Sequence, residues 1–319
     1  MSNLTVSVSP HIRDKSTTSR IMLDVLIALV PAFIASIAIF GARSALVVCV
    51  CVATCVISEW VYEKAMKKQN TIRDLSACIT GVLLAFNLPV SIPLWQAAFG
   101  SLVAIILVKQ LFGGLGKNFA NPAITARIVM FLAFSITMTT WGGADGVSGA
   151  TSGASAVADS VSGATPLVLI AKGQISALPS ITDMLLGLRG GCLGETSVIA
   201  LALGGIYLLI RRVITWHTPV MFIGTVLAFT ALLGAEPVYQ VLSGGLFLGA
   251  IFMATDYVTS PQTSAGRIVF GIGAGLLTVI IRMYGSYPEG VSFAILLMNV
   301  LVPYINRFTR NKALGGKKA

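Results

Sequence analysis

The chain has 319 residues, 55% of them hydrophobic and 11% charged, and its mean hydropathy is +0.87. A soluble domain carries about 25% charged residues, so the composition excludes a soluble enzyme and points to a bilayer. The net charge of +10 then reports membrane topology rather than a nucleic-acid partner, and no basic, aromatic-interleaved segment argues otherwise. The polar stretch Met1–Arg20 lacks a short apolar core followed by a small-residue cleavage site, so no cleaved leader is expected.

Ten apolar runs follow, several near the roughly 20 residues needed to cross hydrocarbon. Ile21–Phe40 and Ser44–Val61 come first. Asp24 lies inside the first, where a charge is expensive and marks a functional candidate. Ser76–Leu88 is short and runs into Asn87-Leu-Pro-Val-Ser-Ile-Pro93. Leu94–Phe112 and Ala120–Thr139 complete a group of five, the last holding Arg127. Asn121-Pro122 suits a helix start, because asparagine caps free N–H groups and proline at the first helical position loses no hydrogen bond.

Residues 140–182 form the one long break, and they carry Asp-x-Val-Ser-Gly-Ala-Thr twice, at Asp145–Thr151 and Asp159–Thr165. One reading is a flexible Ser/Gly/Ala linker. The other is a modification site, with a threonine hydroxyl on a segment that an enzyme can reach. The residues after each threonine separate the two copies. Thr165 precedes Pro-Leu and a short apolar stretch that would hold an attached group beside the membrane, whereas Thr151 precedes Ser-Gly-Ala-Ser, a loose tether.

The second half runs through Glu195–Ile210, Pro219–Leu233, a short Ser243–Thr255, Ile268–Tyr284 and Val291–Ile305. Glu195 would sit at the start of its span, favoured by the helix dipole or serving an ion path. Asp256 follows the short span, where freed carbonyls attract cations. The halves match: each third span is short and stops at a proline-containing turn, Asn87–Pro93 or Asp256–Pro261, and each fourth span ends near a base, Lys109 or Arg282. Paired interrupted segments point to structural repeats with a site at their interface, and their free backbone groups must face protein, ligand or water.

The expected fold is therefore an all-α integral membrane protein of about ten helices, built as two inverted five-helix repeats, 21–139 and 183–305, with broken third helices. Of 22 Lys and Arg, all but Arg43, Arg127, Lys172, Arg189 and Arg282 fall on one side when the N-terminus is placed inside. That leaves 22 − 5 = 17 on the cytoplasmic side, as the positive-inside rule requires. Segments 1–20 and 306–319 are then cytoplasmic and the 140–182 loop is extracytoplasmic. Cys49, Cys51, Cys55, Cys78 and Cys192 read as small packing residues. With only His11 and His217 beside them, no metal site is expected.

Four blocks in order, Gly113–Ala123 (GGLGKNFANPA), Asp159–Leu167 (DSVSGATPL), Gly194-Glu-Thr-Ser197 and Met253–Pro261 (MATDYVTSP), together with ten spans, resemble the D-subunit family of the Rnf ion-translocating electron-transfer complexes. The homologous B subunits of sodium-pumping NADH:quinone reductases are similar but usually carry an N-terminal extension. A small-solute transporter or channel on the same inverted-repeat fold is the remaining alternative, and it leaves the Ser-Gly-Ala-Thr loop unexplained. The resemblance implies FMN joined by a phosphoester to Thr165, with Asp159, Ser162, Gly163 and Ala164 forming the recognition phrase and Asn118 and Asn121 near a flavin. It also implies a second, noncovalent riboflavin, and a relay between reduced ferredoxin and NAD coupled to export of Na+ or H+. Glu195, Asp256 and Asp24 are the candidates for the ion path. Implied partners are subunits of the A, B, C, E and G type, a flavin transferase and membrane lipid, in a bacterial or archaeal cytoplasmic membrane. Two positions depart from the family pattern, Phe119-Ala120 before Asn121-Pro122 and Tyr257 where proline is common, and both bear on packing near a flavin.

Overall fold

A computed structural model describes residues 17–140, 165–174, 176, 178–285 and 289–310. Among them the chain is helical, with no strand. Helix α1 spans Thr18–Phe40, its start capped by the Thr17 hydroxyl on the Arg20 N–H (3.3 Å). Gly41, at φ 74°, turns the chain directly into α2, Ala42–Ala65. After a 3-10 turn at Ile72–Asp74 come α3, Ser76–Phe86, and α4, Leu94–Gln110, whose part Val103–Gln110 is wound as a π-helix. Then follow α5, Pro122–Ala133, and α6, Ser135–Thr139.

Two short helices, α7 (Pro166–Ala171) and α8 (Ile181–Leu186), precede α9, Val198–Ile210. The remainder is α10 (His217–Leu232), α11 (Pro237–Leu242), α12 (246–253, π-wound over Gly249–Met253), α13 (Ser264–Tyr284) and α14 (Val291–Phe308).

Four helices, α1, α2, α13 and α14, are long and apolar enough to cross a membrane, and α3, α4, α5, α9 and α10 are shorter apolar helices. The protein is a multi-pass membrane protein. The short elements follow from the sequence: α3 has 11 residues, so at about 1.5 Å per residue it covers little more than half of a hydrocarbon core of about 30 Å. Four elements differ from the sequence expectation. The sixth span starts at Val198 rather than Glu195, because the Ser197 hydroxyl caps Ala200 N (3.4 Å) and takes the N-cap role. Phe134, at φ −130° and ψ 49°, breaks the fifth span into α5 and α6. The helices α8 and α11 were too short to show an apolar period.

Packing pairs α2 with α3 and α4, and α10 with α13; the two halves meet along α1–α9 and α5–α14. One core runs through both halves and includes Leu29, Leu84, Phe86, Met130, Phe222 and Phe270. Where α1 crosses α9, a Cβ on Gly204 would overlap the Ala28 carbonyl oxygen. Small residues at such crossings let membrane helices approach closely.

Candidate functional site

The two helix breaks each build a buried polar centre. At the end of α3, Asn87 turns back and donates from Nδ2 to Leu83 O (2.6 Å). Three carbonyls freed by the break find partners in the segment before α9: Gly194 N donates to Phe86 O (3.0 Å), Leu193 N to Leu88 O (3.0 Å) and the Cys192 thiol to Asn87 O (3.2 Å). Unpaired backbone groups at membrane depth cost several kcal/mol each, so these bonds are what let α3 stop there. Gly194 is required by the approach, because a Cβ would fall inside the buried Phe86 ring. Gly194→Ala is expected to destabilise the protein by about 1–3 kcal/mol through overpacking. Thermal unfolding of the variant checks it, and Phe86→Leu in the same chain should recover part of the loss.

Arg127 of α5 closes this centre. It donates from Nη1 to Asn87 Oδ1 (2.9 Å) and Ser292 Oγ (2.9 Å), from Nη2 to the Cys192 sulfur (3.5 Å), and it pairs with Glu289. The sequence offered no partner for Arg127; the fold supplies these four. Glu195 lies in the turn ahead of α9, so the helix-dipole role expected for it is not the arrangement seen. Its Oε1 instead accepts from Cys192 N (3.1 Å), and its Oε2 has no partner among the described residues. Cys192 Sγ and the carboxylates of Glu195 and Glu289 lie within 4.8 Å of one another. The Arg127 guanidinium pairs with Glu289 and donates to Cys192, and Arg189 Nη2 donates to the Glu195 carbonyl (3.2 Å).

At the end of α12, Asp256 accepts from Val258 N (3.3 Å) and the Thr259 hydroxyl (3.3 Å), closing a tight turn. Asn121 donates to it from Nδ2 (3.4 Å) across the two halves. Asn121 is also the N-cap of α5, as expected, its Oδ1 accepting from Ala123 N (3.0 Å) and Ile124 N (3.3 Å). Asn299 of α14 completes the centre, its amide placed to donate to Thr259 O (3.0 Å) and accept from Asn121 N (3.2 Å).

Beside it opens a cavity of about 740 Å³ including its mouth, with apolar walls of Ile79, Leu83 and Phe252 and polar groups from Lys109, Asn118, Asn121 and Asp256. Asn118 and Asn121, expected near a flavin, and Asp256, expected on an ion path, therefore share one space. Tyr257, the departure from the family pattern, also lines it and donates its hydroxyl to Val213 O. Asp24 is elsewhere: it accepts from the Tyr207 hydroxyl (3.0 Å) and Arg211 Nη2 (3.1 Å), tying α1 to α9.

One pair escaped the sequence reading. Glu59 and Lys109, 0% and 2% exposed, form an ion pair at 2.7 Å between α2 and α4. The signal was present, since Glu59 lies within the apolar run Ser44–Val61 just as Asp24 lies within the first.

Thr165 immediately precedes Pro166 at the start of α7 and is buried, 5% exposed. It was expected on a reachable surface segment; in the structure it is buried. Leu167 seats against Gly244, and Arg282 Nη2 approaches the same glycine, where a Cβ would lie 3.1 Å away. The Arg282 guanidinium donates to Gln240 O (2.5 Å) and Ser243 O (3.1 Å), while its Nε has no partner and no carboxylate lies within 4.0 Å among the described residues. Asp159, Ser162, Gly163 and Ala164, with the earlier Asp145–Thr151 phrase, lie outside the described residues.

The family described as NQR2, RnfD, RnfE matches residues 5–315. The chain belongs to that family. Among its relatives is the D subunit of the Na(+)-translocating ferredoxin:NAD(+) oxidoreductase complex of Acetobacterium woodii, 46% identical over 99% of this chain and 96% of the relative. The D subunit of the proton-translocating ferredoxin:NAD(+) oxidoreductase complex of Clostridium ljungdahlii is 40% identical over 98% and 97%. The D subunit of the ion-translocating oxidoreductase complex of Escherichia coli is 35% identical over 98% and 99%. The expectation of an RnfD-type chain is therefore met. Family members matched at nearly full length are named for different ions, so the choice of ion does not follow from overall similarity.

Proposed function

We propose that this RnfD-type chain is the flavin-carrying membrane subunit of a redox-driven cation pump, relaying electrons between reduced ferredoxin and NAD and coupling them to Na+ or H+ translocation. The observation that carries the reading is 46% identity along nearly the whole chain to the D subunit of such a complex. Ferredoxin, nicotinamide and iron–sulfur chemistry belong to partner subunits of the A, B, C, E and G type, since this chain has no cysteine-rich cluster motif and no G-x-G-x-x-G helix start.

FMN would be held by a phosphoester on Thr165, installed by a flavin transferase. The residues fit: Arg282 is a buried cation with an unpartnered Nε beside the glycine on which α7 docks, a suitable counter-charge for a phosphoester. A second, noncovalent riboflavin would occupy the cavity beside Asp256, whose mostly apolar walls with a few convergent polar groups are of the kind that hold a flavin ring. Bound flavin supplies one- and two-electron transfer, and the chain's own work is to position and tune it.

Ten spans in two inverted repeats are supported by the packing: α2 lies on α4 as α10 lies on α13, and α3 on α5 as α12 on α14. The termini would be cytoplasmic and Thr165 extracytoplasmic. Asp256, at the second break, is the acid we place on the ion route. Glu195, with its free carboxylate oxygen, comes second, and Asp24 serves chiefly to join α1 to α9. The purified chain, denatured and run on a gel, should fluoresce under ultraviolet light and carry one FMN-sized mass adduct. A dark band of unmodified mass refutes the covalent flavin.

A further inference from the structure

We propose that the cavity between the α9–α10 turn and the start of α13 binds the phosphate group of an anionic phospholipid, held by Arg212 and Arg267. The cavity is polar, lined by Arg212, Thr215, Thr218, Tyr257, Ser260 and Arg267. The neighbouring Arg211 is already paired with Asp24 (3.1 Å), but neither Arg212 nor Arg267 has a carboxylate within 4.0 Å among the described residues. Arg267 is fixed in place: Nε donates to Pro261 O (3.1 Å) and Nη1 to Thr215 Oγ1 (3.1 Å), which leaves Nη2 for a ligand. Thr218 is 2% exposed, and its hydroxyl makes no hydrogen bond among the described residues. The start of α10 beside it has no side-chain cap. Two guanidiniums, a buried hydroxyl and uncapped helix N–H groups make a donor-rich set, which suits an oxyanion.

Arg212 stands where the backbone favours glycine. It follows the C-cap of α9 at φ 56°, and the bonds from Arg212 N to Leu209 O (3.0 Å) and Val213 N to Leu208 O (2.9 Å) form a Schellman ending. An L side chain is strained there, so the chain keeps an arginine at a backbone cost, and its use lies in the guanidinium. The source of the phosphate follows from the place. The apolar helices α9, α10 and α13 end or begin around the cavity, at the level of lipid headgroups. Trp216, 54% exposed and stacked on His217 (4.3 Å), has the setting of an interfacial aromatic. Beside it Ile210 and Val220, 75% and 53% exposed, present apolar surface to acyl chains. Basic pockets between membrane helices bind anionic headgroups. A phosphate here would tie the α9–α10 turn to α13. The site does not depend on a flavin in the larger cavity, from which the wall that includes Tyr257 divides it.

Full-length wild type, Arg212→Gly and Arg212→Lys, stripped of lipid in excess detergent, are unfolded thermally at fixed ionic strength. Phosphatidylglycerol, phosphatidylcholine or inorganic phosphate is added in separate series, and retained lipid is read by native mass spectrometry. Wild type should gain melting temperature as phosphatidylglycerol rises, following mass action, and should retain that lipid. Arg212→Gly should melt no lower than wild type without lipid, because glycine relieves the left-handed turn. It should nevertheless bind phosphatidylglycerol roughly tenfold more weakly, through loss of a charge-assisted contact. A merely structural arginine would not give that pair of results. Arg212→Lys should recover part of the affinity, since the charge returns. Equal affinity of Arg212→Gly and wild type, or no preference for phosphatidylglycerol over phosphatidylcholine, overturns the assignment. A response to inorganic phosphate without one to phosphatidylglycerol overturns the lipid source. Silence to all three overturns the site as a phosphate site and leaves its arginines to an acidic segment of a partner chain.

Discussion

Thr165→Ala is expected to leave the protein with no covalently bound flavin, while Thr151→Ala keeps a full complement. A phosphoester needs the hydroxyl oxygen, so the loss should be complete rather than graded. The fold should tolerate the change. The Thr165 side chain makes no capping hydrogen bond to α7, and the bonds that start that helix, from Val168 N (2.8 Å) and Leu169 N (3.2 Å), end on the Thr165 carbonyl, which alanine retains. Intact mass of both variants decides it, with thermal unfolding as the control. An FMN-sized adduct on Thr165→Ala would move the attachment elsewhere.

Arg127→Met should be the most damaging single change to stability, at about 3–5 kcal/mol, the cost of removing one partner from a buried ion pair. The guanidinium satisfies Glu289, Asn87, Ser292 and Cys192 at once, joining α5, the α3 break, the start of α14 and the segment before α9. Methionine fills much of the volume but leaves Glu289 charged and without its partner. Glu289→Gln in the same chain should therefore restore a measurable part of the loss, since it removes the stranded charge. A melting temperature for Arg127→Met within two or three degrees of wild type would show the network to be peripheral.

Much of this was legible in sequence where a local rule carried the information. Asn121-Pro122 announced a helix start because capping depends on neighbouring residues alone. Asn87 and Asp256 announced breaks because proline follows each within a few positions. The features that stayed hidden depend on contacts between distant segments. Nothing near Gly194 says that its N–H will bond Phe86 O, and the helix start expected at Glu195 failed because Ser197 is the better cap. The burial of Thr165 was hidden likewise, as was the seating of the neighbouring Leu167 against Gly244, 77 residues on. Glu59 was a different kind of miss: the run that contains it was read for length, and its one acid was not asked for a partner.

The bonds from Cys192, Leu193 and Gly194 onto the end of α3 carry a consequence for how the chain is made. Synthesis runs from the N-terminus, and domains ordinarily fold as units in that order. Here the first half cannot finish on its own: the carbonyls of Phe86, Asn87 and Leu88 wait for donors that lie 105 to 108 residues downstream. A nascent chain stopped before Cys192 would leave those three oxygens without these donors, at a cost of several kcal/mol each in hydrocarbon. Assembly of the two halves is thereby made a checkpoint in biogenesis, and a chain passes it only once its second half has been inserted.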